Sequence, residues 1–155
     1  MWLMVLVFCV CSCSIVWSNA SNSSWPSDSI DFTTFPGAPT PHQVFFCTDA
    51  FDVAASLSFQ NAGPFAVRSG RHSYTLFSLA ANGTVIDVSR MKQMLLSTDK
   101  SFVTFGAGVL NWEAQQFLAK SGLAHVGGTG PHVGAGLNLL NVISVHMWLT
   151  IANLS

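Results

Sequence analysis

The sequence predicts an α+β (α/β-like) fold, built of short strands with two main helices. Short apolar runs at 44–47, 65–67 and 84–88 are strand-length rather than helix-length. Two stretches between them carry helix start and stop signals, and two glycine-rich loops, 68–74 and 127–136, follow short elements. At 155 residues the chain has room for one domain with an adequate core, and it shows no internal repeat.

The chain opens with an uncharged apolar run from Trp2 to Trp17, about the length of a signal-peptide core. Ser18-Asn19-Ala20 then puts small residues at the two positions a signal peptidase reads. The competing reading is a membrane anchor, but Cys11, Ser12, Cys13 and Ser14 dilute the run and it is short for a span. The expected division is therefore residues 1–20 as a cleaved signal peptide, 21–41 as an extended lead-in, 42–136 as the domain and 137–155 as an apolar tail. Cleavage after Ala20 removes Cys9, Cys11 and Cys13 and leaves Cys47, so no internal disulfide framework is expected. Sequons at Asn22 and Asn82 suit the same route, making the expected protein secreted and glycosylated at those two residues.

The lead-in is rich in Ser, Thr and Asp, and Pro26, Pro36, Pro39 and Pro41 break any regular element. Val44 to Cys47 reads as a buried strand, with Cys47 as a small buried thiol. Thr48 or Asp49 caps a helix running to about Asn61, with Val53, Ala54 and Leu57 on its inner face and Gly63-Pro64 as its stop. Phe65-Ala66-Val67 is a second strand ending at Arg68. Asn82-Gly83 is a turn leading into a third, Thr84 to Val88. A strand at about Phe102 to Phe105 runs into Gly106-Ala107-Gly108. Asn111 is then expected to cap the second helix, with Glu113 in its first turn, Lys120 in its last and Gly122 just beyond.

Residues 137–155 are uncharged and mostly apolar. A membrane-spanning tail, a buried helix and sequence foreign to the domain all suit that composition. Asn138, Asn141, His146 and Asn153 are scattered through it, and a membrane is a partner only if this tail inserts. Six basic and seven acidic residues give a net charge of -1 with no run of either sign. Nothing supplies the polybasic surface that nucleic acid requires.

The chemistry is concentrated in the two glycine loops. A strand ending in the turn Arg68-Ser69-Gly70-Arg71-His72-Ser73-Tyr74 presents successive backbone N–H groups, which form an anion-cradling concavity. Arg68 and Arg71 add charge suited to phosphate oxygens. His72, as a neutral imidazole, is a nucleophile or a metal ligand. No metal-binding set is read, and the C-x-C-x-C of the leader sits inside an apolar signal. The competing reading of the loop is a surface turn with solvated arginines. The second loop carries Gly128, Thr129, Gly130, Val133 and Gly134. Together the loops could clasp one elongated pyrophosphate-bearing ligand. Neither leads into a clear helix, so this is not the G-x-G-x-x-G dinucleotide fingerprint.

Pro64 to Tyr74 resembles the R-S-G-G-H-S segment of FAD-linked oxidoreductases of the vanillyl-alcohol-oxidase/p-cresol-methylhydroxylase (PCMH-type) superfamily, the berberine-bridge-enzyme-like branch in particular. Asp52-Val53-Ala54-Ala55 resembles the family's preceding helix, and Val85-Ile86-Asp87-Val88-Ser89-Arg90-Met91 its following strand. Phe105-Gly106-Ala107-Gly108 resembles its "a-G-a" turn. Gly127-Gly128-Thr129 through Val133-Gly134 resembles its second flavin loop. The resemblance implies the N-terminal part of a PCMH-type FAD-binding domain, incomplete, with FAD as cofactor. It implies cofactor contacts from Arg68, Ser69, Gly70, Arg71, His72, Ser73, Gly128, Thr129, Gly130, Val133 and Gly134, and a covalent bond from His72 to the flavin 8-methyl group. It further implies an oxidase acting on a small molecule, such as an alcohol, sugar or amine.

Three features depart from the pattern. Arg71 stands at the family's second glycine, and if that position has a positive φ an Arg there costs about 1 kcal/mol or more. Gly130 stands where some members carry a second flavin-linking cysteine. His132 has no role in the pattern. After Gly136 the sequence leaves the family pattern before any catalytic base is reached. The expectation is a truncated or alternatively processed product. The alternatives are an inactive secreted fragment and a membrane-tailed protein binding another phosphate ligand.

Overall fold

The computed structural model describes residues 38–59, 63–73, 75–125, 127 and 130–134, together with the backbone of 14–17 and 152–153. The main sheet comprises β1 (Ser14–Trp17), β2 (Gln43–Phe46), β3 (Phe65–Arg68) and β4 (Thr84–Asp87), in the order β1-β2-β4-β3. β4 runs parallel to both β2 and β3, whereas β1 is antiparallel to β2. The α1 helix (Ala50–Phe59) connects β2 to β3 and so makes the crossover that parallel strands require. A hairpin of β5 (Met94–Leu96) and β6 (Val103–Phe105) precedes α2 (Asn111–Ala119). Finally β7 (Leu123–Ala124) pairs with β8 (Ala152–Asn153). This is the mixed architecture expected from the sequence, with short strands and two helices.

The continuous apolar runs of β2 and β4 follow from their central position. A strand covered on both faces needs no polar alternation. Val44, Phe46, Ala66, Ala80 and Val85 form one buried cluster. Phe45, Cys47, Ile86 and Val88 form another, against which Val53 of α1 and Met91 pack. Cys47 is a buried thiol, as expected. β3 differs because it lies at the sheet edge. Phe65 and Val67 remain about half exposed (52% and 51%) while Ala66 and Arg68 are buried, so the expected apolar run is in fact alternating.

Both helix starts were visible in the sequence, with corrections of detail. Asp49 caps α1, accepting the Asp52 N–H at 2.9 Å, and Asp52 in turn accepts from the Thr48 backbone N–H and hydroxyl. The inner face of α1 is Asp52, Val53 and Ser56; Ala54 and Leu57 are exposed. The polar pair faces inward because Asp52 is satisfied by Thr48, and the Ser56 hydroxyl donates to the Val53 carbonyl. At α2 the cap is Leu110, not Asn111. Glu113 Oε2 accepts the Leu110 N–H at 2.8 Å and also pairs with Lys92 Nζ at 2.6 Å. Gly122 follows the helix with φ 70°, the left-handed residue expected at that end.

Strand β5 was not anticipated, since Met94-Leu95-Leu96 has neither β-branched residues nor turn signals on its N-terminal side. Val109 and Ala114 form a smaller core with Met94 and Phe105, seating α2 on the hairpin. Among the described residues no helix is long and apolar enough to cross a membrane. Most of the expected leader, the lead-in and the apolar tail lies outside the described residues, as do Asn22, Tyr74, Gly128 and Thr129.

Candidate functional site

The first loop leaves β3 at Arg68 and is anchored there by charge. Arg68 Nε donates to Asp87 Oδ2 at 2.7 Å, with both side chains fully buried. β3 and β4 put the two residues directly opposite each other in register, and Asp87 Oδ1 also accepts the Ser89 N–H. The expectation that the Arg68 side chain serves phosphate is therefore corrected. A fully buried guanidinium must be paired, and its partner is the carboxylate of the next strand. Arg68 shapes the loop from below.

The loop itself is tied on two sides. The Ser69 hydroxyl donates to the Ala107 carbonyl at 2.5 Å, joining it to the Phe105–Gly108 turn. On its other side Gly70 lies against the second glycine loop. A Cβ on Gly70 would sit 2.4 Å from Gly134 N, and one on Gly134 would sit 2.6 Å from Ser69 Oγ and 2.9 Å from Gly70 N. Glycine is required at both positions because two backbones touch. Arg71 then adopts φ 62°, so the positive-φ condition raised by the sequence is met and this residue carries the strain of a left-handed backbone. His72 and Ser73 follow, half-buried, with the Ser73 hydroxyl 3.3 Å from that of Thr75.

The second loop is stapled to α2. The Asn111 and Trp112 N–H groups donate to the Val133 and Pro131 carbonyls, each at 3.0 Å, and Asn111 Nδ2 donates to the Gly130 carbonyl at 3.1 Å. Asn111 is thus a loop-holding residue in the first turn rather than the cap. Its burial (1% exposed) is explained by that bond. The Val133 N–H donates to the Gly130 carbonyl, and Gly134 bridges Leu110. Of the residues expected at the site, Ser69, Gly70, Arg71, His72, Ser73, Gly130, Val133 and Gly134 are brought into one neighbourhood. Gly128 and Thr129 lie outside the described residues.

One further residue, His125, lies beside Phe105 and Gly127. His125 makes an edge-to-face contact with Phe105 (ring centroids 5.8 Å apart). Its Nδ1 is buried with no hydrogen-bond partner, and its Cε1 would be 2.8 Å from a Cβ on Gly127. Sequence reasoning missed His125, because no motif marks it. Ser69, Gly70 and Arg71 on one strand end and Gly130, His132 and Gly134 on the other chain segment include no carboxylate. No group of three or more metal-ligating side chains is present among the described residues. Asn82 lies in an exposed turn at φ 52°, whereas Thr84 of its sequon is buried with its hydroxyl accepting from Gln43 Nε2 at 2.7 Å.

The family model for the FAD binding domain matches residues 41–143, reaching past Gly136. This chain belongs to the FAD-binding domain family. The FAD-linked oxidoreductase YgaK of Bacillus subtilis (strain 168), itself described as uncharacterized, is 38% identical over 109 residues, covering 64% of this chain and 24% of that protein. The crystal structure of 6-hydroxy-D-nicotine oxidase from Arthrobacter nicotinovorans superposes with a TM-score of 0.68 at 27% identity, covering 80% of this chain and 27% of that one. A berberine-bridge-enzyme-like protein of Physcomitrella patens gives a TM-score of 0.67 at 19% identity over 81% of this chain and 28% of that one, a likeness of fold alone. The chain spans about a quarter of the length of the curated relatives it matches. FAD is the cofactor of the domain. The residues fit it: two glycine backbones meet without side chains between them, beside a carboxylate-free turn with a cation and an imidazole.

Proposed function

We propose that this chain is the flavin-holding part of a secreted FAD-dependent oxidoreductase that oxidises a small molecule of the alcohol, sugar or amine type. The observation that carries the reading is the backbone contact between Gly70 and Gly134. It joins two loops that the chain separates by some sixty residues, at the one place where His72 and Arg71 also stand. The backbone of Ser69 to Ser73 binds the diphosphate of the dinucleotide, and the second loop closes on it from Gly130 to Gly134. Flavin held there would supply the acceptor for a hydride from the substrate and the donor of electrons to oxygen.

His72 attaches the cofactor. One of the His72 ring nitrogens would bond the flavin 8-methyl carbon, the imidazole proton and one methyl hydrogen being lost with molecular oxygen as the two-electron oxidant, reduced to hydrogen peroxide. The tight turn set by Gly70 and Arg71 holds the imidazole in place for that bond, and attachment prevents cofactor loss.

One expression experiment tests the reading. The chain is produced with residues 1–20 intact in a secreting eukaryotic host, and the product is examined by absorbance, intact mass and in-gel flavin fluorescence after denaturation. The expected result is yellow protein in the medium, starting at Ser21, whose fluorescence survives denaturation and disappears in His72→Ala. Colourless folded protein after growth with added riboflavin would refute the flavin reading. Fluorescence retained in His72→Ala would refute the attachment alone.

A further inference from the structure

We infer that Asn82-Gly83 is a chemical modification site of the unfolded chain, where Asn82 loses its amide to the Gly83 nitrogen, and that the folded turn shields it. The inference stands apart from the flavin reading. Of the asparagines in the chain only Asn82 precedes a glycine, the neighbour whose missing Cβ hinders ring closure least. The Gly83 backbone nitrogen attacks the Asn82 side-chain carbonyl carbon, ammonia leaves, and a cyclic succinimide joins the two residues. Water then opens the ring at either carbonyl. The products are aspartate and isoaspartate, with no oxidation or reduction at any step. In isoaspartate the backbone runs through the side chain and is one methylene longer.

The turn demands this pair of residues. Asn82 holds φ 52°, in the left-handed region that asparagine and glycine tolerate and most side chains do not. Gly83 is buried, and a Cβ there would overlap the Pro64 carbonyl oxygen and sit 2.9 Å from the Ala80 Cβ. The glycine that makes Asn82 reactive is therefore the residue that fits. The fold also withholds the nucleophile. The Gly83 N–H donates to the Ala80 carbonyl at 3.1 Å, the Gly83 carbonyl accepts from the His42 and Gln43 N–H groups at 2.8 and 3.3 Å, and the Asn82 N–H donates to the Thr40 carbonyl at 2.9 Å. Attack requires the Gly83 nitrogen to give up its proton and its peptide to turn, which breaks these bonds. Just beyond, Thr84 begins β4, which pairs in parallel with both β2 and β3. Thr84 is buried, with its N–H on the Pro64 carbonyl and its hydroxyl accepting from Gln43 Nε2 at 2.7 Å. A longer backbone at position 82 ends where both neighbouring strands fix the register, so either the turn bonds or the first sheet pairs are lost.

The full chain, made in a bacterial cytoplasm so that no glycan occupies Asn82, is held at mildly alkaline pH in buffer and in concentrated guanidinium chloride. Peptide mass spectrometry with isoaspartyl methyltransferase labelling follows position 82 in both. Conversion in denaturant is expected to go mainly to isoaspartate. In buffer it is expected to be at least about tenfold slower, because it waits on opening of the turn; tenfold corresponds to about 1.4 kcal/mol of opening free energy. After dilution from denaturant, isoaspartate at position 82 is expected to be enriched about fivefold or more in the fraction that fails to refold. Equal rates in buffer and denaturant would overturn the shielding, and an unmodified Asn82 in denaturant would overturn the lability. Isoaspartate shared evenly between refolded and unfolded chains would overturn the effect on the sheet. These three readings are taken on the unaltered chain. Asn82→Gly keeps the left-handed turn without the amide and is expected to refold equally well before and after the same incubation; a progressive loss in that variant would place the damage elsewhere in the chain and overturn the inference.

Discussion

Replacing Gly70 with alanine tests the contact on which the site depends. The added Cβ would lie 2.4 Å from Gly134 N, 3.0 Å from Gly134 Cα and 3.1 Å from the His132 carbonyl oxygen. Ordinary contact begins at 3.4 Å, so the loops must part by roughly 1 Å at the nearest atom. All three neighbours are backbone, and no rotamer change can relieve them. Overpacking of this kind costs about 1–3 kcal/mol. Part is offset by the smaller entropy of the unfolded alanine chain, about 0.4–1 kcal/mol. The net expectation is a loss of about 1–2 kcal/mol, or about 3–6 °C in melting temperature for a domain this size. Thermal unfolding followed by circular dichroism measures the stability, and flavin fluorescence measures cofactor retention, which is expected to drop with it. Gly122→Ala is the control: nothing lies within 4 Å of its Cβ, and only its φ of 70° opposes the change. It should cost about 1 kcal/mol and leave flavin retention intact. A Gly70→Ala chain with unaltered melting temperature and full flavin content would show that the two loops do not meet as described.

Two other perturbations follow from the same structure. Asp87→Asn leaves the Arg68 guanidinium buried without its counter-charge and should cost about 3–5 kcal/mol in urea unfolding, whereas a double replacement by apolar residues of similar volume should recover most of it; a loss under about 1 kcal/mol in the single variant would disprove the buried pair. In the β5–β6 turn, hydrogen bonds from Ser97 and then Ser101 lower the Asp99 pKa from 3.8 to about 2. Its folded value lies below its unfolded one, so its contribution to stability is present above about pH 4 and disappears as pH falls toward 2. Ser101→Ala should move the NMR titration midpoint of Asp99 upward, and an unmoved midpoint would contradict the hydrogen-bonded turn.

Local signals in the chain were read well where local physics decides. Asp49 before α1, the Asn82-Gly83 turn before β4 and Gly122 after α2 each follow from a backbone requirement that few residue types meet. The errors came where neighbours decide. Ala54 and Leu57 look like the inner face of α1 because they are apolar, but the sheet behind the helix admits Asp52 and Ser56, whose polar atoms Thr48 and Val53 satisfy. β3 reads as a plain apolar run, but at the sheet edge its residues alternate between exposed and buried. His125 shows no pattern at all, since its burial depends on Phe105 and Gly127 arriving beside it.

The sequence by itself determined the mixed strand-and-helix architecture, the two glycine loops and the imidazole just after two arginines, because strand period, helix caps and turn residues are written in neighbouring positions. Only the tertiary structure decided which of those residues share a site. Gly70 meets Gly134, Ser69 reaches Ala107 and Arg68 is drawn inward to Asp87, leaving Arg71 as the arginine at the loop contact. Such assignments depend on distances between segments far apart in the chain. Burial and backbone contact are properties of the packed whole, and no stretch of residues encodes them alone.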